Sequence, residues 1–192
     1  MRRLCLIVLA IAMIVGCQSR SVIVKTDGPK QRDMRLATQK TAQAVELIKK
    51  RQFDKAEHLL DEAIEADPFT GIAHNNLGLV YYHQGRLYEA AREFQHAVKL
   101  LPYHPEPANN LGMVYESAGK LDDAVEQYAT ANELEADNPA VLGNLIRARI
   151  RRGDDRNDMR EQLTELVMKE TRPEWLEWAR LQLGLAAETA EP

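Results

Sequence analysis

The chain is poor in the residues and patterns that most enzyme chemistry needs. Of its 192 residues only two are cysteines, Cys5 and Cys17, and five are histidines. The histidines form no His-Glu-x-x-His pair and no Cys/His set with metal-ligand spacing, so no zinc site is expected. There is no glycine-rich phosphate loop and no Gly-x-Ser-x-Gly nucleophile turn. Positive charge is not in excess: 25 Lys and Arg stand against 29 Asp and Glu, a net charge of −4, which argues against a nucleic-acid partner. The apolar run Leu4–Val15 has 12 residues, short of the roughly 20 that a spanning helix requires. These absences predict a non-enzymatic chain with no cofactor. The plentiful carboxylates, such as Asp122, Asp123 and Glu126, read as solubility charges on outer helix faces.

What the chain has is a period. Leu77, Gly78 and Tyr81 return 34 residues later as Leu111, Gly112 and Tyr115. Ala90, Phe94 and Ala97 return as Ala124, Tyr128 and Ala131, and Pro68 as Pro102. A fixed spacing of this size marks a repeat architecture, in which one helical hairpin cannot bury its own apolar face and stacks on its neighbours. The order L-G-x₂-Y, A-x₃-F, P at this spacing resembles the tetratricopeptide (TPR) repeat. The resemblance implies an all-α fold: a right-handed superhelix of three to four stacked hairpins with a C-terminal capping helix.

The repeats are laid out at about 37–70, 71–104, 105–138 and 139–170, within an array over 34–187. In the first, helices over 37–50 and Phe53–Ala66 are expected, with Ala44 in the glycine phase and Gln43 where leucine is usual. Gly85, Gly119 and Gly153 fall where left-handed residues can end a helix. Gly78 and Gly112 are expected to face alanines of the partner helix and let the two axes approach. After Gly153 the phase slips. A one-residue insertion puts Met159, Leu163 and Leu166 on the apolar face. The last helix, about 173–187, opens with Thr171-Arg172-Pro173-Glu174 in the form of a capping box. Its Trp175, Trp178, Leu181 and Leu185 are expected to cover the open end.

The first 16 residues read as a signal peptide, with basic Arg2 and Arg3 before the apolar run. Ile14-Val15-Gly16-Cys17 resembles a bacterial lipobox. The resemblance implies cleavage after Gly16, lipid on Cys17 and acylation (palmitate) of the new amino terminus. Loss of Arg2 and Arg3 would leave 23 basic against 29 acidic residues, a net charge of −6. Residues 17–33 then read as a tether, with Asp27-Gly28-Pro29 as a breaker. Gln18, rather than aspartate, after the cysteine favours the outer membrane, facing the periplasm, as the site of anchoring.

In TPR arrays the first helix of each repeat lines the concave face, where peptides bind. Asn76, Asn110 and Asn144 recur there at intervals of 34. They resemble the asparagine ladder of the TPR region of O-GlcNAc transferase, whose amides hold the backbone of an extended peptide. An amide both donates and accepts hydrogen bonds. The alternative is that these asparagines only bridge neighbouring turns. Asn75, Asn109, Tyr82 and His83, with Leu79, Met113 and Glu116, are expected on the same face. Arg147 and Arg151, with Arg149, Arg152 and Arg156, make its C-terminal end basic and suited to a carboxylate, unless Asp154 and Asp155 pair with them instead. The lysine and asparagine pattern of the chaperone-binding carboxylate clamp is not reproduced.

The combined layout is similar to TPR lipoproteins that assemble pilus secretins and Tad-type secretion systems. It implies a membrane-anchored interaction scaffold of the cell envelope with protein or peptide partners. An adaptor for peptidoglycan hydrolases or proteases, or the targeting subunit of an enzyme complex, are the alternative readings.

Overall fold

A computed structural model describes residues 32–188 of the chain. The signal peptide, Cys17 and nearly all of the tether lie outside the described residues. The described residues are helical throughout. Four antiparallel hairpins follow one another: α1 (Met34–Lys49) with α2 (Phe53–Ala66), α3 (Gly71–His83) with α4 (Leu87–Leu100), α5 (Pro105–Ser117) with α6 (Leu121–Leu134), and α7 (Pro139–Arg152) with α8 (Arg160–Lys169). A final helix, α9 (Pro173–Glu188), follows them. Each helix packs on the next, α3 also touches α1 and α5, and Asn144 of α7 bonds Asn109 of α5, so α1, α3, α5 and α7 line a common face. This is the stacked-hairpin, all-α architecture that the 34-residue period predicts. None of these helices is long and apolar enough to cross a membrane.

The core repeats with the sequence. Ala56, Leu60 and Ala63 on α2, and Ala90, Phe94 and Ala97 on α4, are almost wholly buried. So are Ala124, Tyr128 and Ala131 on α6, and Met159, Leu163 and Leu166 at and after the slip. Spacings of four and three place each trio on one helical stripe. The extra residue near 154–158 is absorbed by a single 3₁₀ turn, Asn157–Met159, that delivers Met159 into the core.

Two local expectations need correction. Gly78 and Gly112 do not face alanines. A Cβ on Gly78 would lie 2.7 Å from the ring of Phe94, and one on Gly112 would lie 2.7 Å from the ring of Tyr128. Each glycine is a seat for the aromatic ring of its own hairpin, and the alanines pack elsewhere. The first helix also starts earlier than expected, at Met34, because the Asp33 carboxylate accepts from the Leu36 N–H at 2.9 Å and caps it. Arg32 closes that end by donating twice to Asp67, at 2.7 and 3.0 Å.

The turns within hairpins share one device. Gly85, Gly119 and Gly153 have φ of +77°, +75° and +102°. The same turn of the first hairpin is made by Arg51, 34 positions before Gly85, at φ +57°. A side chain in that region carries a penalty of roughly 1–2 kcal/mol, so the first hairpin is the strained copy.

The last helix departs from its expected form. Thr171 does not cap it. The Glu170 carboxylate instead accepts from the Thr171 and Arg172 N–H groups at 2.9 and 2.8 Å and from the Arg172 guanidinium. Its inward face carries Ala179, Gln182 and Leu183 beside the half-buried Trp175 and Trp178, whereas Leu181 is 60% exposed. The rotation agrees with the contacts it makes. Ala179 is buried in one cluster with Leu163 and Leu166, and the Gln182 side-chain carbonyl accepts from Arg156 Nε at 3.0 Å.

Candidate functional site

The face built by α3, α5 and α7 carries two clefts. One, about 400 Å³, is lined by Tyr82, Met113, Glu116, Ser117 and Asn144, with Arg147 and Arg151. The other, about 280 Å³, runs past Asn75, Leu79, Asn109, Asn110 and Val141. Asn110 and Asn144 are each followed directly by a buried leucine, Leu111 and Leu145, that holds its helix in the stack.

The asparagines cross-link the repeats. Asn110 Nδ2 donates to Asn75 Oδ1 at 3.1 Å, and Asn144 Nδ2 donates to Asn109 Oδ1 at 2.9 Å. The same bond thus recurs one repeat further on. Each uses one amide hydrogen of a side chain that lines a cleft, Asn110 in the smaller and Asn144 in the larger. Asn76 is different, because its Nδ2 turns back to the Ile72 carbonyl at 2.8 Å. It has no preceding repeat partner in the ladder and lines neither cleft. His83 is also displaced. It stacks on Phe53 of α2, with centroids 5.0 Å apart, away from both clefts. Tyr82 stays in place, its hydroxyl 3.3 Å from Ser117 Oγ.

The basic end of the face is occupied from within. Glu116 is only 7% exposed. It accepts from Arg147 Nε and Arg147 Nη2 at 3.0 and 2.8 Å, from Arg151 Nη1 at 2.8 Å and from the Tyr128 hydroxyl at 2.9 Å. Burial pushes this carboxyl up, but the two guanidiniums and the phenol outweigh it and hold its pKa at about 2. Burial, then the Glu116 charge, pushes the Tyr128 hydroxyl well above its ordinary value. Arg149 and Arg152 pair with Asp154 at 3.0 and 2.6 Å. Arg152 holds that carboxyl down most, burial opposes it, Arg149 adds to it, and the pKa falls to about 2. Asp155, expected as a second partner, instead accepts from the Asn157 N–H. Four of the five arginines are paired, two sharing Glu116 and two sharing Asp154, so the patch stays net positive, and Arg151, half-exposed with one bond to Glu116, is the cation most open to the cleft.

Two features of the site escaped the sequence reading. Glu116 was placed on the face, but its capture of both arginines was not foreseen. The signal lay in the spacing, since Arg147 and Arg151 follow Glu116 by 31 and 35 residues, one repeat away. The second is a shallow apolar recess of about 170 Å³ beside Arg147, lined by Glu174, Trp175 and Trp178. Among the described residues no cluster of His, Cys, Asp and Glu could hold a metal ion.

Comparison with known proteins places this geometry in context. Family models described as "Tetratricopeptide repeat" match residues 41–105 and 106–138. No curated protein matches the chain. Among solved structures, YrrB, described as a TPR protein with an unusual peptide-binding site, superposes with a TM-score of 0.68 at 18% identity, over 80% of this chain and 77% of its own. The first TPR of Spaghetti (RPAP3) bound to an HSP90 peptide gives 0.61 at 20% identity, over 64% of this chain and 97% of its own. The first TPR domain of human RPAP3 gives 0.60 at 19% identity, over 62% and 94%. At these identities the likeness is one of fold.

Proposed function

The chain belongs to the tetratricopeptide-repeat family over residues 41–138, and from that we propose that it is a lipid-anchored, non-enzymatic scaffold that holds a protein segment in an envelope assembly such as a pilus or secretion system. Proteins of this family mediate protein–protein interaction. One of the similar structures is described as bound to a peptide and another as having a peptide-binding site. The observation that carries the reading for this chain is the pair of clefts along α3, α5 and α7, which display amides at one-repeat intervals. Amide groups lining a cleft suit the backbone of an extended segment, which offers an acceptor and a donor at every residue. The anchor rests on the sequence: an apolar run ending in Gly16-Cys17 supports lipid at Cys17, and several acyl chains make membrane attachment durable, at about 0.8 kcal/mol per buried CH₂. Gln18 supports the outer membrane, facing the periplasm.

The test has two arms. Membrane fractionation of the Cys17→Ser chain should move it to the soluble fraction; retention in membranes would remove the anchor. Cross-linking in cells followed by identification of the captured proteins should yield pilus or secretion components. Capture of cell-wall hydrolases alone would replace the assembly role with hydrolase recruitment.

A further inference from the structure

The asparagine ladder ends where tryptophan begins. Counting by 34 from Asn76, Asn110 and Asn144 reaches Trp178, and the N1 prolines Pro105 and Pro139 are followed at the same interval by Pro173. Helix α9 thus stands in the position of a fifth groove-lining helix, with an indole where its predecessors carry an amide. The residue Trp178 would have bonded to, by the pattern of Asn110 to Asn75 and Asn144 to Asn109, is Gly143, which has no side chain. Trp175 fills that gap. A Cβ on Gly143 would lie 3.0 Å from the Trp175 ring.

The two indoles meet edge to face, 5.5 Å between centroids, and the Arg147 guanidinium lies 5.1 Å from the centroid of Trp175. Arg147 therefore borders both the recess and the larger polar cleft. Charge is distributed unevenly around this junction. Two arginines share the single negative charge of Glu116, which leaves the cleft about one unit positive, and Arg151 is the half-exposed member. The exposed Glu174 also lines the recess, and Arg172 above Trp175 is already paired with Glu170.

Building on the groove reading above, we propose that the groove selects an extended peptide with a large apolar or aromatic side chain seated on Trp175 and Trp178 and a carboxylate, two or three residues away, at Arg151. The recess offers indole surface that water covers poorly, and an aromatic side chain gains from edge or offset contact with it. Arg147 lies 5.1 Å from the Trp175 centroid and Arg151 one turn further, about 6 Å along α7, a reach that two or three residues of extended chain at about 3.3 Å each can span. Glu174, which lines the recess but not the larger cleft, repels a carboxylate from the recess and so favours its placement at Arg151. The carboxylate is a side chain or a chain terminus.

The experiment uses the detergent-solubilised full chain against positional-scanning nonapeptide libraries, one amide-capped and one with a free C-terminus. Retained peptides should be enriched in Phe, Trp, Leu or Ile with Asp or Glu two or three positions away. In the free-terminus library a terminal carboxylate at that distance would replace the acidic residue. The chain's two tryptophans are the two in the recess, so a selected peptide should shift their emission to the blue and cut acrylamide quenching at least twofold. Trp178→Ala, with helix content unchanged by circular dichroism, should weaken the aromatic peptides at least tenfold and leave their alanine-substituted versions unaffected. Peptides retained with no apolar preference, or with tryptophan quenching unaltered, overturn the recess as an anchor site while the groove stands. Retention of no peptide in either library overturns the groove reading itself.

Discussion

Arg147 grips Glu116 through two parallel bonds, Nε to Oε1 at 3.0 Å and Nη2 to Oε2 at 2.8 Å, across the boundary between the third and fourth hairpins. Fork-on-fork pairing of this kind fixes both distance and orientation. It makes one buried carboxylate the tie between α5 and α7, reinforced by Tyr128 from α6. Charge on the groove wall therefore has a structural task before it has any ligand.

Glu116→Gln should destabilise the chain by about 1.5–3 kcal/mol, the worth of hydrogen bonds to a charged group, read as a lower urea midpoint. Acid should do the same. The folded pKa of Glu116, about 2, lies below its unfolded value, so its contribution is complete above that unfolded value, about 4.3, and is lost as pH falls toward 2. The Gln variant should lose less stability than the parent over that acid range. Parallel pH profiles would show that the pair is not a stabilising tie.

His74 supplies the opposite dependence. Its Nδ1 lies 2.8 Å from Glu93 Oε2 and its Nε2 lies 3.1 Å from the Pro68 carbonyl, two acceptors that are both satisfied only by the imidazolium. Burial pulls its pKa down, but the carboxylate and the carbonyl outweigh burial and raise it. The stabilisation is therefore full below the unfolded value, about 6.5, and fades as pH rises through the higher folded value. The stability gap between the parent and His74→Gln, measured by thermal melts from about pH 6 to about pH 9, should narrow with rising pH. A gap that stays constant would show a neutral His74.

Glycine and its neighbours predict changes of opposite sign. Gly112→Leu pushes a side chain into the Tyr128 ring and should cost about 1–3 kcal/mol. Arg51→Gly relieves the positive φ of the first hairpin turn and should stabilise the array by about 0.5–1 kcal/mol, since the greater freedom of unfolded glycine offsets part of the relief. Thermal melts of both variants decide. A neutral Gly112→Leu would mean that the ring moves aside without loss.

The asparagines separate by position. Asn144→Ala removes an inter-repeat bond and should cost about 0.5–1.5 kcal/mol, whereas Asn76→Ala gives up only a bond to its own helix and should change stability by less than about 0.5 kcal/mol. If these amides hold peptide backbone, the triple Asn76, Asn110 and Asn144 alanine variant should weaken peptide binding with helix content intact. Unchanged affinity would leave the ladder a purely structural seam.

Much of this protein was legible in its sequence because the determining physics is local and periodic. An apolar trio spaced by four and three selects a helical stripe wherever it occurs, and recurrence at 34 residues means that the same hairpin is built again. The same logic located the slip after Gly153, since only Met159, Leu163 and Leu166 offered a continuous apolar face. It also assigned Asn75, Asn109, Asn110, Asn144, Tyr82, Arg147 and Arg151 to one face; that this face holds two clefts, which these residues line, came from the structure.

Tertiary structure decided which polar groups are engaged and which face outward. Periodicity assigns Asn76 and Asn144 the same phase, but only Asn144 has a repeat before it with Asn109 in reach. It gives no weight to Glu116 over other glutamates, because its partners come from the next hairpin and their approach depends on how two hairpins dock. The rotation of α9 was hidden for the same reason: hydrophobicity favours Leu181 over the polar Gln182, about 100° further round the helix, and the contacts of Arg156 and Ala179 turn Gln182 inward instead. The period sets the scaffold; the charge and shape of the groove arise where non-repeating residues from adjacent repeats are brought within hydrogen-bonding distance.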